Sequence, residues 1–593
     1  MKKILLCFCL GACALSPTLA TPAQLPSSMT QTTSNPNSNK ALFNIVTYNE
    51  KGDLLRSGNG FFIDEQGTGI AAFTLFDGAY RAEVIDYKGD KLPVHRILGA
   101  NSTYDLVKFS TLGAKKIAAL ALAEHPQCDA GTPVQLLTYT GKKKANPTLI
   151  NIKKADDFNG FKYYEVQANN EEKFQGCPLT DATGAVVAIA QRNIVEGAQH
   201  LCAVDSRFIQ QLQITNMSIL NSDLQAIKIP KGLPENEKDA LTYIYMLGYK
   251  DSIPALHANN DFIASYPENA EGYTNRGTFY AQHRDYAHSE QDFAQALELA
   301  GKEKSTIKAD EVYNKISKLM LAKVMNDPQT TAPNWTIDNA IAAAHKAYEL
   351  NASPFHLLQQ AHCLLQKKEY KQAYDNYYRI NTQSFDQANQ WSAQAKIETW
   401  DYAARAYELG MQAGQIPATR EDSLHLITLA DSLIAALPKP YYPGDAHCFF
   451  ERAQRYQQLG FYQKAVLDLF EYEKIIGPKN LNDKFYYMRE QLEMKARMYQ
   501  QALDDIRTAK AFNPKDPFYP VEEALVLLNA GLYPEAIETC ATYLKQLPGN
   551  PDCYKIMGIA YGQLGKKKEA LTHLQKAKEL GDPTADAFIQ KYQ

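Results

Sequence analysis

Cys177, set between Gly176 and Pro178, has the side-chain type for nucleophilic chemistry: its thiolate attacks a carbonyl carbon when a neighbouring base removes the proton. The bases available in that part of the chain are His95, His125 and His200, all distant from it in sequence. The plainer reading of a thiol between glycine and proline at the start of a strand is a small packed hydrophobe. Seven cysteines lie beyond residue 20 (Cys128, Cys177, Cys202, Cys363, Cys448, Cys540 and Cys553). That odd number and the lack of any CxxC pair indicate neither a zinc site nor a disulfide framework. Gly562-Gln563-Leu564-Gly565-Lys566-Lys567 is too short for a phosphate loop. HExxH, EF-hand and dinucleotide signatures are missing, so no metal and no cofactor is expected.

A chain of 593 residues exceeds what one core can bury, so two or more packed units are expected. Its 62 basic and 66 acidic side chains leave a net charge of −4, which offers no footprint for nucleic acid. Residues 1–20 read as a signal peptide. Lys2 and Lys3 precede a short apolar run, and Thr18-Leu19-Ala20 offers small residues for cleavage after Ala20. A rival reading takes Leu10-Gly11-Ala12-Cys13 as a lipobox with Cys13 as lipid anchor, though the run before it is short for that purpose. Both place the mature chain outside the cytoplasm, in the periplasm, the cell envelope or the medium, with no transmembrane span. Residues 21–40, rich in Ser, Thr, Asn and Pro, read as a flexible linker.

From 41 to 215 the chain reads as short strands. Leu42–Tyr48, Gly60–Ile63, Ala82–Asp86, Leu106–Phe109, Val134–Thr138, Tyr163–Gln167 and Ala185–Ala190 are β-branched or aromatic and divided by Gly- and Asp-bearing turns, with Ser206–Leu212 as a closing helix. Strands so spaced predict a sandwich or barrel. Residues 216–235 read as a polar linker. From 236 to 593 the period is 3.6, and an internal repeat emerges. Gly558, Tyr561, Gly565, Ala570 and Ala577 recur 34 residues earlier as Ala524, Leu527, Gly531, Ala536 and Tyr543. Earlier still, Ala502 and Ala509 lead to Pro514 as Ala536 leads to Pro548. This spacing resembles the tetratricopeptide (TPR) family. Units fall at 236–269, 270–303, 354–387, 446–482, 483–516, 517–550 and 551–584, with divergent insertions near 304–353 and 388–445.

Five segments of the front region resemble, in order, trypsin-like serine peptidases of the Deg/HtrA type. Ser57-Gly58-Asn59-Gly60-Phe61-Phe62-Ile63 is similar to their first glycine-bearing strand. Gly69 to Ala79 falls at the histidine motif, and Asn101 to Phe109 at the aspartate motif. Lys173-Phe174-Gln175-Gly176-Cys177-Pro178-Leu179 with Gly184 to Ile189 matches the nucleophile motif, and Leu201 to Ser206 the closing strand. The resemblance implies a multidomain chain, an N-terminal all-β trypsin-like double barrel followed by an all-α TPR solenoid.

Carried over residue by residue, the base position is Thr74, the acid position Asp105 and the nucleophile position Gln175. A serine triad needs a base that takes the nucleophile's proton and an acid that orients the base. A glutamine amide is neither nucleophilic nor ionisable, and a threonine does not accept a proton near neutral pH. No catalytic residue is therefore expected. Asp105 reads as a cap on the turn before its own strand, and the glycine that would help form an oxyanion hole is Lys173. The competing reading is an endopeptidase with Cys177 as a non-standard nucleophile.

In the TPR resemblance the first helix of each unit lines a groove. The groove positions of the last units are Tyr487, Gln491, Met494, Phe518, Val521, Leu525, Leu528, Lys555 and Ile559. They form a largely apolar strip suited to a protein or peptide partner, and the Lys-then-Asn pair of carboxylate-clamp TPRs is absent. The alternative is that a later helix covers them. The function these readings favour is an exported scaffold or adaptor.

Overall fold

In the computed structural model, residues 38–593 are described except 115, 127, 142–146, 249–251, 303–304 and 386–390. The leader, Cys13 and most of the 21–40 stretch lie outside the described residues. The chain divides into two compact units at Lys308/Ala309.

The first unit opens with twelve strands among the described residues: β1 (Leu42–Tyr48), β2 (Leu54–Phe62), β3 (Thr68–Ala71), β4 (Arg81–Ile85), β5 (Lys91–Asn101), β6 (Leu106–Thr111), β7 (Pro133–Leu136), β8 (Thr148–Phe158), β9 (Phe161–Asn169), β10 (Pro178–Thr180), β11 (Val186–Gln191) and β12 (His200–Asp205). They close into two antiparallel six-stranded barrels with the same circular order, β1-β2-β3-β6-β5-β4 and β10-β11-β12-β9-β8-β7. The fold is a trypsin-like double barrel followed by helices.

Alternation sets which side chains face inward, because successive residues of a strand point to opposite faces. Phe43, Ile45, Phe62, Val84, Ile97, Val107 and Phe109 fill the first barrel. Val134, Leu136, Ile150, Ile152, Tyr164 and Leu179 fill the second. A third cluster, with Leu42, Phe61, Ile70, Leu106, Val186, Ile189 and Phe208, draws on strands of both barrels and fixes one against the other. Strands β5 and β8 were not expected. Pro93 and Gly99 interrupt the apolar pattern of β5, whose register slips near both. At Gly99 any Cβ would stand 2.4 Å from the carbonyl carbon of Leu212, so the strand meets that backbone directly. In β8 only Ile150 and Ile152 are buried, and two lysines and two aspartates are among the exposed positions.

The closing segment is a 3₁₀ helix, Ser206–Gln211, started by Asp205, whose carboxylate accepts from the Arg207 N–H at 2.9 Å. The 216–235 stretch does not hang free. Leu224, Ile227 and Ile229 join the core of the first barrel, and Lys231 bridges to Ile97 of β5. Composition alone hides this, since three apolar side chains among polar ones suffice to dock a short segment.

The helices are α1 (Phe73–Phe76), α2 (Ser222–Ala226), α3 (Glu237–Leu247), α4 (Ser252–Ser265), α5 (Ala270–Gln282) and α6 (Tyr286–Ala300) in the first unit. The second unit holds α7 (Ala309–Asn326), α8 (Ile337–Leu350), α9 (Pro354–Gln366), α10 (Tyr370–Thr382), α11 (Ala393–Gln412), α12 (Arg420–Ala436), α13 (Ala446–Gln458), α14 (Tyr462–Ile476), α15 (Asp483–Lys495), α16 (Tyr499–Phe512), α17 (Tyr519–Asn529), α18 (Tyr533–Leu544), α19 (Pro551–Gln563), α20 (Lys567–Glu579) and α21 (Ala585–Tyr592). None is long and apolar enough to cross a membrane.

Helix pairs occupy all seven stretches marked by the 34-residue spacing, and the two divergent stretches hold pairs as well, α7 with α8 and α11 with α12. Asn269, Asn482 and Asn550 cap first helices by accepting a backbone N–H three residues on, which satisfies a donor the helix leaves unpaired. Ala502, Ala509, Ala536, Ala570 and Ala577 are wholly buried at the crossings. At Gly558 a Cβ would lie 2.6 Å from Leu574 Cγ, so only glycine admits so close a crossing. Three pairs also share a clasp that periodicity did not reveal. Arg276, Arg452 and Arg489 on first helices each hold a carboxylate on the second helix, Asp292, Asp468 and Asp505, with two hydrogen bonds of 2.6–2.8 Å.

Candidate functional site

Thr74 sits in α1, the single turn that follows β3. Asp105 precedes β6, and Gln175 precedes β10. The turn carrying Asp105 holds it at φ 49°, a left-handed conformation that aspartate tolerates better than most residues. The Gln191 side chain pins the same loop by donating to the carbonyl of Tyr104. At Gly176, φ is 78° and a Cβ would lie 2.6 Å from the Asn59 carbonyl oxygen, so the turn beside Gln175 admits only glycine without strain.

These elements bring Thr74, Asp105 and Gln175 together in a closed ring of hydrogen bonds. Gln175 Nε2 donates to Thr74 Oγ1 at 2.7 Å and to Asp105 Oδ2 at 2.5 Å, and the Thr74 hydroxyl donates to Asp105 Oδ2 at 3.4 Å. Asp105 Oδ1 accepts the Thr74 backbone N–H at 2.8 Å. The carboxylate therefore caps the turn bearing Thr74, whereas the expectation was a cap on its own turn. Burial pushes the Asp105 carboxyl up from its ordinary value, against the pull of these donors. An amide, a hydroxyl and a carboxylate satisfy one another here, leaving no basic nitrogen next to an acidic hydroxyl or thiol.

The backbone around Gln175 is equally committed. Glu172–Phe174 forms a 3₁₀ turn, and the N–H of Gln175 donates to the Glu172 carbonyl at 3.1 Å. The N–H of Gly176 donates to Ala190 at 2.9 Å, and that of Cys177 to Phe174 at 3.1 Å. An oxyanion hole needs such donors aimed at vacant space where charge develops. Lys173, at the position of the missing glycine, accepts from the Asn59 amide at 2.7 Å through its carbonyl.

Cys177 is 1% exposed in the core of the second barrel, its Sγ 3.6 Å from the Lys173 carbonyl oxygen. Burial pushes its thiol up to about 12. No hydrogen bond joins His95, His125 or His200 to Cys177 or to the three-residue ring among the described residues. His95 lies in β5 beside Arg96, His125 is exposed on a loop, and His200 begins β12. No cluster of metal-ligating side chains occurs among the described residues.

In the second unit the nine groove positions fall on α15, α17 and α19 or directly before α17. Phe518 is 45% exposed, and the other eight are partly buried. Phe518, Val521, Leu525 and Lys555 border one cavity of about 410 Å³, and Tyr487 meets Phe518 edge-on at 5.3 Å. Gln491 turns its amide to Glu490, and Met494 and Leu528 lean on the helical core. Glu522 and Asp552, which border the cavity, and the buried Glu490 bonded to Gln491 escaped sequence reasoning. Their signal was available, since Glu490 follows Tyr487 by three residues and Glu522 follows Phe518 by four, the spacing of one helical face.

No protein-family model matches the chain, and no curated protein matches its sequence. Among solved structures, the Rv3671c protease of M. tuberculosis in its active form is similar at 16% identity and a TM-score of 0.27, with 34% of this chain and 92% of that chain covered. An inactive-form mutant of the same protein, from strain H37Rv, gives 16% identity and a TM-score of 0.26 over 32% and 93%.

Proposed function

We infer that this chain is an exported binding protein, a scaffold or adaptor in which a catalytically silent trypsin-like domain is joined to TPR-type helical hairpins that hold a protein or peptide partner. The observation that carries this reading is the ring of Thr74, Asp105 and Gln175: side chains of those types, already bonded to one another, supply neither nucleophile nor base. The commitment of the Gln175, Gly176 and Cys177 N–H groups supports it independently.

Support for the TPR reading comes from the 34-residue spacing and from the buried small residues at the helix crossings. For export it comes from the charged start, apolar run and small residues of the first twenty positions. The alternative, an endopeptidase using Cys177, requires a thiolate that a fully buried thiol does not provide.

The test is a peptidase assay on the purified chain with casein and with serine- and thiol-directed activity probes, alongside capture of partners from an envelope extract. No turnover and no probe labelling are expected. Turnover that Cys177→Ala abolishes would overturn the reading. Substituting Phe518 and Leu525 by Asp should release the captured partners, and retention of them all would reject the groove assignment.

A further inference from the structure

The cavity bordered by α17 and α19 is lined by apolar side chains, among them Phe518, Val521 and Leu525, and by Glu522, Asp552 and Lys555. Lys555 is fully engaged, its ammonium 2.9 Å from Asp552 Oδ1 and 2.6 Å from Asp582 Oδ2. Glu522 has no cationic partner among the described residues. The Gln491 side chain donates to Glu490 Oε2 at 2.7 Å. Glu490 is wholly buried, and its other oxygen, Oε1, has no hydrogen-bond partner. Tyr487 feels the charge of both carboxylates and stands edge-on to Phe518. Glu522 and the Phe518 ring thus line one cavity, and no cation is bonded to Glu522 among the described residues.

A guanidinium or an ammonium meets both demands of such a place. It forms charge-assisted hydrogen bonds with carboxylate oxygens, and it is attracted to the faces of aromatic rings. We propose that this cavity seats one Arg or Lys side chain of a bound peptide, its charge on Glu522 and its stem along Tyr487 and Phe518, while flanking apolar residues of that peptide lie on Val521 and Leu525. The partner is a basic, apolar segment, and Glu522 repels an acidic one. The proposal rests on the groove-binding reading and adds the chemistry of the ligand to it.

The test uses the full chain and two fluorescein-labelled peptides, one with a single arginine between leucine pairs, the other with neutral citrulline in its place. By anisotropy the arginine peptide should bind about tenfold more tightly. Glu522→Gln should bring the arginine peptide down to the citrulline level, and Leu525→Asp should abolish binding of both. Equal affinity of the two peptides, with binding still lost in Leu525→Asp, overturns the cation seat and leaves the groove reading standing. Failure of both peptides to bind overturns both. If Glu522→Gln does not fold, the arginine–citrulline comparison on the unaltered chain decides the matter.

Discussion

Gln175 Nε2 lies 2.5 Å from Asp105 Oδ2, a contact that joins the two barrels across 70 residues of chain. The amide occupies the space in which a catalytic base and nucleophile would have to meet, and it neutralises the hydrogen-bonding capacity of the one acidic group there. The obstacle to triad chemistry therefore extends beyond side-chain type, because the Gln175 and Gly176 N–H groups are also bonded within the fold.

Restoring the side chains should not restore the enzyme. A chain carrying Thr74→His and Gln175→Ser together is expected to hydrolyse casein no faster than the unaltered chain and to resist serine-directed probes. The reason is that the Gln175 N–H remains bonded to Glu172 and the Gly176 N–H to Ala190. Measurable turnover by the double variant would show that side-chain identity alone silences the site.

All seven cysteines among the described residues are buried. Mixed with a maleimide under native conditions, the chain is expected to leave them unmodified, and in denaturant all seven should react. Mass spectrometry of the labelled peptides reads the outcome directly. Rapid native labelling of Cys177 would contradict its burial and the pushed-up thiol.

Arg489 is 2% exposed and faces Asp505, Glu473 and Glu493, with its guanidinium 4.1 Å from the centre of the Phe470 ring. Arg489→Met should destabilise the helical unit by about 3–5 kcal/mol, because it strands buried carboxylates. Adding Asp505→Asn should recover part of that loss, with a coupling of about 1–3 kcal/mol in a double-mutant cycle followed by denaturant unfolding. Simple additivity would mean that the clasp does not act as a unit.

Stability should also depend on pH through Glu490, whose carboxyl burial pushes up to about 7 from an ordinary 4.5. Between those values the native chain holds a proton that the unfolded chain has released. This contribution is therefore complete below the lower value and fades as pH rises through the upper one, by up to about 3 kcal/mol. Glu493 and Asp505, also pushed up by burial, act in the same direction. Glu490→Gln should flatten the fall in melting temperature between pH 5 and 7.5, to about the slope those two residues leave. An unchanged slope would remove Glu490 from this account.

Legibility in the sequence varied with the range of the interaction. Strand β1 was readable to the residue, since five of its seven residues are β-branched or aromatic and state its period locally. By contrast β5 and β8 were missed, because Pro93 and Gly99 break one pattern and charged residues dilute the other. The docking of 216–235 was missed for the same reason. The arginine clasps escaped because a charged residue on an amphipathic helix reads as solvent-exposed until the facing helix is known.

By itself the sequence determined the periods: alternation in the first part, 3.6 and then 34 residues in the second, with small residues wherever helices must cross closely. Those features are local or nearly so, and backbone sterics and side-chain size dictate them. Motif matching could also name Thr74, Asp105 and Gln175 as the positions of a triad's base, acid and nucleophile. Only the tertiary structure decided that they touch, that the Gln175, Gly176 and Cys177 N–H groups are spent, that Cys177 is sealed in a core, and that Glu522 lines a cavity with no cation bonded to it among the described residues. Burial and hydrogen-bond partnership arise between segments tens of residues apart, and closure of the barrels and stacking of the hairpins settle them after local preferences have had their effect.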